Sequence, residues 1–142
     1  MELDYAFFAD TAAVPPDRKL YVLGGGFSTI SLPEIPGRAT FAVVAGFRFG
    51  VADAGRNHQV ELRFVDEQGK LVVPPAPLNF QLGDAPAGGD LEITVPTVSY
   101  VTPMFGETGR YAAEIWSGDR LLAHVRLRVE SQAQGAAGPR AN

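Results

Sequence analysis

The sequence predicts an all-β protein, an antiparallel β-sandwich of seven to eight strands with a Greek key. Three observations lead to this prediction. Apolar and polar residues alternate with a period of two in several segments, glycine and proline turn signals separate these segments, and no segment of about 10 to 12 residues carries a helical apolar stripe. At 142 residues, the chain has the length of one ordinary domain.

The amino-terminal half divides into three expected strands. The first covers about residues 2–9 and the second about residues 19–31, because the segment 14–17, Val-Pro-Pro-Asp, is a turn sequence. The third covers residues 41–51, where apolar residues occupy the odd positions and Val44 is the one clear exception. Polar residues and Gly55 then form a turn over residues 53–57.

The carboxy-terminal half shows the same alternation over residues 59–64, 91–95 and 121–129. Residues 66–69 form a hairpin turn leading to a strand at 70–73, and residues 117–119 form the turn of the final hairpin. The proline- and glycine-rich segment 74–90 is a long crossing connection with a short edge strand near 78–82. We expect a single domain over residues 1–130 and a disordered tail over 131–142, where small polar residues have nothing to bury.

Two segments resemble known families. Gly109-Arg110-Tyr111 and the strands after it resemble the final hairpin of immunoglobulin-like and fibronectin-like sandwiches. This resemblance implies an immunoglobulin-like Greek key, in which the Tyr111 hydroxyl caps a corner. Ala113 stands where those domains have a second cysteine, so this match extends to architecture only. The opening LDYAFFAD, followed by KLYVLGGGF at residues 19–27, is similar to a family of small uncharacterised bacterial proteins over about residues 2–130, which implies no activity.

Charge and composition argue against several classes of function. The formal net charge is −4, and the densest basic stretch, Arg120, Arg126 and Arg128, is interrupted by acids and forms the polar face of a strand, so we expect no nucleic-acid partner. Without cysteine the chain can form no disulfide or thiolate metal site, and its start is acidic where a signal peptide would be basic. We therefore expect a cytoplasmic protein that has no membrane partner and no cofactor.

No catalytic or metal motif emerges. Gly24-Gly25-Gly26 lacks the residues of a phosphate or dinucleotide loop and is expected to be a strand bulge. His58 and His124 have no partner at ligand spacing and are expected at the surface. The turn at residues 10–17 and Asp53 would lie at one end of the sandwich if strands simply alternated, but no D-x-D spacing supports calcium there.

Aromatic residues off the core phase are the remaining signal. Phe8 and Trp116 fall out of phase with the apolar residues of their strands, so each is a candidate for an exposed aromatic residue on a sheet face. For Trp116 the alternative is that the long connection 74–90 covers it. A ligand cleft lined by Phe8, Tyr21, Tyr100 or Trp116 is therefore one hypothesis, with a small molecule or carbohydrate as its occupant. The leading hypothesis is a non-catalytic protein that acts through protein–protein contact or self-assembly, by an apolar sheet face or an open strand edge. An enzyme is the least supported class and would need a histidine paired with a carboxylate in a cleft.

Overall fold

The computed structural model describes residues 1–132 and confirms the all-β class. One 3₁₀ turn, Val51–Asp53, follows the fifth strand. The described residues hold no helix that is long and apolar enough to cross a membrane. The strands are β1 (Glu2–Ala13), β2 (Tyr21–Phe27), β3 (Thr29–Leu32), β4 (Gly37–Arg38), β5 (Phe41–Phe49), β6 (Asn57–Asp66), β7 (Ala76–Gln81), β8 (Ile93–Val101), β9 (Met104–Phe105), β10 (Gly109–Ser117) and β11 (Arg120–Ser131).

Two sheets contain most of these strands. The four-stranded sheet has the order β2-β1-β5-β8 and is antiparallel throughout. The five-stranded sheet has the order β3-β11-β10-β6-β7, and only β3 runs parallel to its neighbour. Strands β4 and β9 form a separate two-residue ladder.

The core lies between the inner faces of the two sheets. Phe41, Phe47 and Phe49 of β5 belong to the same buried cluster as Phe64 of β6 and Leu127 of β11. Aromatic rings fill this layer, and most pairs meet edge to face, the geometry that the quadrupole of the ring favours. The period-two alternation seen in the sequence therefore marks the inward residues of these strands correctly.

The second expected strand, residues 19–31, is wrong as a single element. The chain leaves the four-stranded sheet after β2 and crosses at Ser28, so that β3 pairs with β11 in the other sheet. Both segments are apolar and extended, and the alternation cannot show that the chain changes sheet between them. Because of this crossing, β5 runs antiparallel to β1 and not in the same direction, as simple alternation of the strands would predict. The turn after β5 therefore lies at the opposite end of the molecule from the turn after β1.

The expectation that Phe8 is exposed is also wrong, because its side chain is fully buried (0% exposed) in the core. Leu3 pairs with Phe47 and Tyr5 with Gly46, which leaves Asp4 as an extra residue in β1. Such a bulge shifts the alternation by one residue. After Asp4, Phe8 faces inward, and Tyr5 and Phe7 pack on the opposite side of the sheet.

Other boundaries differ less. β1 extends to Ala13, and β8 begins at Ile93 and runs on to Val101, beyond the expected 91–95. Residues 70–73 form no strand and make only an isolated bridge at Leu71, whereas the short edge strand expected near 78–82 is present as β7. Ser131 still belongs to β11, and residues 133–142 of the expected disordered tail lie outside the described residues.

The corner before β10 has the hydrogen bond that its resemblance implies. The buried Tyr111 hydroxyl donates to the Glu107 carbonyl oxygen at 2.7 Å, four residues upstream. Burial raises the pKa of Tyr111, so the hydroxyl stays protonated and able to donate. This bond fixes the entry of the chain into the central strand of the five-stranded sheet.

We expect Tyr111→Phe to lower the free energy of unfolding by about 1 kcal/mol, because it removes one net hydrogen bond and keeps the packed ring. Urea unfolding of the full chain measures this loss. Tyr21→Phe is the matched control, since it removes an exposed hydroxyl and should change stability by less than about 0.5 kcal/mol. Equal losses in the two variants would contradict the structural role of the corner.

Candidate functional site

The outer face of the four-stranded sheet is apolar at its centre. Ala42 and Val44 of β5 point away from the core and form a second buried cluster with Ala9 and Ala12 of β1. Partly buried residues of β1, β2 and β8 and Leu20 pack around them. We call this surface the outer apolar face; it consists of Tyr5, Phe7, Ala9, Ala12, Leu20, Val22, Ala42, Val44 and Val98.

Glycines let the aromatic rings of this face lie flat against the sheet. The Tyr5 ring covers Gly46, where a Cβ atom would overlap the ring, and the Phe7 ring lies against Gly25. The two rings are 6.0 Å apart and tilted by 35°. Burial raises the pKa of the Tyr5 hydroxyl. The result is a smooth surface in place of the charged outer face that a solvated antiparallel sheet usually presents.

Tyr100 and Tyr21 lie at one end of this sheet. The Tyr100 hydroxyl donates to the Ala12 carbonyl oxygen at 2.7 Å and accepts from the Ala12 amide at 3.0 Å, so it ties β8 to β1 across β5. The Tyr21 hydroxyl donates to Asp17 Oδ2 at 2.5 Å, which raises the pKa of Tyr21 and lowers that of Asp17. About half of each tyrosine is exposed, 52% of Tyr100 and 51% of Tyr21.

The two ends of the four-stranded sheet carry different charges. At the start of β1, Arg48 is surrounded by three carboxylates. They belong to Glu2, Asp4 and Glu92, so this cluster of four side chains has an excess of two negative charges. At the opposite end, the β1–β2 turn carries the exposed cations Arg18 and Lys19. Only Asp17 offsets them within this turn, and it is already bound by Tyr21 and by the Lys19 amide.

Every edge strand of the two sheets carries a feature that opposes pairing with another strand. Pro96 lies within β8 and Pro77 within β7, and proline removes an amide donor from the edge. β3 is four residues long. In β2, Gly24 and Gly26 have positive φ, and the register with β1 shifts at Phe8/Ala9, which confirms the bulge expected at the glycine triplet.

Trp116 lies on the other sheet, away from the tyrosines. Its ring stacks under the Arg63 guanidinium, whose Cζ atom is 5.0 Å from the ring centre, and its Nε1–H donates to Glu114 Oε1 at 3.3 Å. With Phe8 in the core and Trp116 on the five-stranded sheet, the four aromatic residues singled out in the sequence do not line one cleft. Tyr21 and Tyr100 lie at the same end of the four-stranded sheet, but on opposite faces. Tyr100 pairs with the outward Ala42, whereas Tyr21 is next to the outward Val22 and faces the other way.

The two histidines make different contacts. His124 Nδ1 lies 3.1 Å from Glu114 Oε2 on the outer face of the five-stranded sheet, so one histidine does meet a carboxylate. Within residues 1–132, no serine or threonine hydroxyl is hydrogen-bonded to His124, although Ser28 and Thr29 line the same groove as its ring. His58 Nε2 contacts the Asp53 carbonyl oxygen at 2.9 Å.

The expectation that residues 10–17 and Asp53 share one end of the sandwich is wrong. Asp53 follows the end of β5, and because β5 is antiparallel to β1 it lies beside the start of β1. The Met1 ammonium donates to Asp53 Oδ1 at 2.8 Å and lowers the pKa of that carboxyl. In the described part of the chain, no three histidine or acidic side chains converge as metal ligands.

The outer apolar face was not recognised in the sequence, although one signal pointed to it. Val44 breaks the alternation of its strand, and Ala42 and Gly46 beside it are also uncharged. A strand that is apolar at both odd and even positions is typical of burial on both faces.

Comparison with known proteins identifies a family but no activity. The model of a family described as "Family of unknown function (DUF6941)" matches residues 4–130. No curated protein matches the chain. No solved structure matches it either.

We expect Gly46→Ala to lower the free energy of unfolding by about 1–3 kcal/mol, because the new methyl group displaces the Tyr5 ring from the sheet. The loss should shrink in the Tyr5→Ala background, where the space above residue 46 is open. Urea unfolding of the four proteins in this cycle measures the coupling. Additive losses would contradict the contact between the Tyr5 ring and Gly46.

Proposed function

The chain belongs to this family of unknown function, and we propose that it is a non-catalytic protein that pairs with a second copy of itself through the outer apolar face. The observation that carries the proposal is the apolar outer layer of this sheet. Ala42 and Val44 face outward and are already fully buried within one chain, and the partly exposed side chains of Tyr5, Phe7 and Val98 pack against them. The surface that one chain presents here is therefore itself apolar. A sheet face of this composition is usually covered by another layer.

The dimensions of the face support a dimer. β1 has 12 residues, which gives a length of roughly 40 Å, and four strands span roughly 19 Å. The other three strands are shorter, with 7, 9 and 9 residues, so the mean length is roughly 31 Å. The projected area is therefore about 600 Å², which is at the lower end of what each partner buries in a specific interface. One copy can thus supply a surface of the size that a stable dimer requires.

The strand edges favour face-to-face packing over edge-to-edge pairing. Pro77, Pro96 and the positive-φ glycines of β2 interrupt the edges that a second chain would have to extend. The outer apolar face has no such interruption. Of the two modes of self-assembly that the sequence left open, the sheet face is therefore the one we propose.

The charges at the two ends of the sheet favour a second copy of the chain as the partner on the outer apolar face. In a two-fold dimer with antiparallel β1 strands, the acidic end of one face lies over the basic turn of the other. Arg18 and Lys19 of one copy then meet the carboxylates around Arg48 of its partner, and the same contact occurs twice. The two ends of the sheet are complementary to each other, as a self-pairing surface requires.

The proposal includes an immunoglobulin-like arrangement and a cytoplasmic location. The first is supported by the Tyr111 corner, by the crossing from β7 to β8 between the sheets, and by the parallel pairing of β3 with the last strand. The second is supported by a cysteine-free sequence that needs no oxidising compartment. Ligand binding in an aromatic cleft is not proposed, because Phe8 and Trp116 lie apart from the tyrosines.

We expect light scattering on a sizing column to give a mass near twice the 15.1 kDa of one chain. Val98→Lys should shift the protein to a monomer at the same concentration, because it places a charge within the outer apolar face that the second copy would cover. The matched control is Leu121→Lys, which changes an exposed leucine on the other sheet and should leave the dimer intact. A monomer at all concentrations, or equal disruption by both variants, would refute the proposal.

A charge-exchange experiment tests the orientation of the two copies. Lys19→Glu and Glu92→Lys should each weaken the dimer at low salt, because each places like charges opposite one another. The double variant should recover much of the lost affinity, measured as the dissociation constant by sedimentation equilibrium. Additive weakening in the double variant would exclude the antiparallel arrangement.

A further inference from the structure

A groove crosses the outer face of the five-stranded sheet, on the side of the molecule away from the outer apolar face. Its volume is about 580 Å³, within the range of small-molecule sites. Three exposed arginines line it, Arg110 from β10 and Arg126 and Arg128 from β11. The hydroxyl residues Ser28 and Thr29 lie beside them. We call these three side chains the arginine cluster.

The register of β10 and β11 brings the cluster together. Arg110 lies directly opposite Arg128. Arg126, two residues before Arg128 on the same face of β11, lies opposite the buried Ala112 of β10. Like charges in directly opposed positions of a sheet are destabilising. The fold therefore holds together cations that repel one another, and an anion bound among them would remove that repulsion.

Carboxylates on the protein leave much of this positive charge uncompensated. Arg128 Nε contacts Glu130 Oε1 at 3.1 Å, which occupies one of its donors. Among residues 1–132, neither Arg110 nor Arg126 has a carboxylate within ion-pairing distance. Within the described residues these two guanidinium groups therefore have no ion-pair partner, on a chain whose formal net charge is −4.

The far side of the groove is acidic. Asp66 Oδ1 accepts hydrogen bonds from the Gln68 and Lys70 amides, which hold the turn, and Glu67 beside it is exposed. An extended polyanion would meet these carboxylates and be repelled. A compact ligand fits both sides of the groove if it has one anionic group for the arginines and hydrogen-bond donors for the carboxylates.

We propose that this groove binds a small phosphate monoester that also carries hydroxyl or amino groups. Guanidinium groups pair with phosphate oxygens through two parallel hydrogen bonds, and three of them converge here. The Ser28 and Thr29 hydroxyls lie on the arginine side and can donate hydrogen bonds to the phosphate oxygens. The Glu67 carboxylate can accept hydrogen bonds from the hydroxyl or amino groups of the ligand. The site is separate from the proposed dimer interface and can exist in monomer or dimer.

The test is a titration of the full-length ¹⁵N-labelled protein, followed by NMR of the backbone amides and the arginine Nε–H groups. The probes are glucose 6-phosphate, glycerol 3-phosphate and phosphoethanolamine, with glucose and inorganic phosphate as references at constant ionic strength. We expect saturable shifts at the arginine cluster for at least one ester. That ester should bind about tenfold more tightly than inorganic phosphate, because the acidic side of the groove adds contacts, and glucose should give no shift.

Arg126→Gln should weaken binding of that ester by about tenfold or more, because it removes a charged pair of hydrogen bonds. Arg120→Gln, at the hairpin end of the same strand, is the matched control and should not change the affinity. The proposal is overturned if no ester saturates, if inorganic phosphate binds as tightly as the esters, or if both variants weaken binding equally.

Thermal unfolding of the ligand-free protein gives a second readout. Arg110→Gln should raise the melting temperature at low salt, since it removes the repulsion with Arg128. A lower melting temperature would contradict the repulsion on which the proposal depends.

Discussion

The burial of β5 on both of its faces is the constraint on which the rest of this structure depends. The strand lies between β1 and β8 in the four-stranded sheet, so all its backbone groups can pair, and nearly all its side chains are buried. Its phenylalanines fill the core against the five-stranded sheet. Three of its four even positions hold the small residues Ala42, Val44 and Gly46, and this allows aromatic rings from β1 to lie flat on the outer face of the sheet. One strand thus organises both the core and the outer apolar face.

Local irregularities decide what each face presents. The extra residue Asp4 turns Phe8 inward and Tyr5 and Phe7 outward, so the core and the outer apolar face both gain aromatic rings from one strand. The bulge at Gly26 has a second effect, because it distorts the free edge of β2. These features are compatible with each other: a sheet with an apolar face and protected edges can associate through the face without extending into fibres.

Periodicity was sufficient to predict the all-β class and the inward residues of β5, β6 and β11, and the resemblance to immunoglobulin-like hairpins implied the corner at Tyr111. Periodicity could not predict the crossing at Ser28, because both segments around it are extended and apolar. It registered the bulge at Asp4 only as a phase break at Phe8, which an exposed residue would explain equally well. Phe8 and the position of Asp53 were misjudged for these two reasons. The arginine cluster needed the structure as well, since Arg126 and Arg128 share a strand but Arg110 joins them only through the register of the hairpin.

The molecule therefore has two outer faces with different chemistry, one apolar and one with a cationic groove, and we propose that a second copy covers the apolar one. Intermolecular NOEs in a mixture of ¹³C-labelled and unlabelled protein test this pairing. We expect NOEs from the methyl groups of Val22 and Val98 to the rings of Tyr5 and Phe7 on the other copy. Intermolecular NOEs confined to β3 or β7, or none at a concentration where the protein is dimeric, would contradict it.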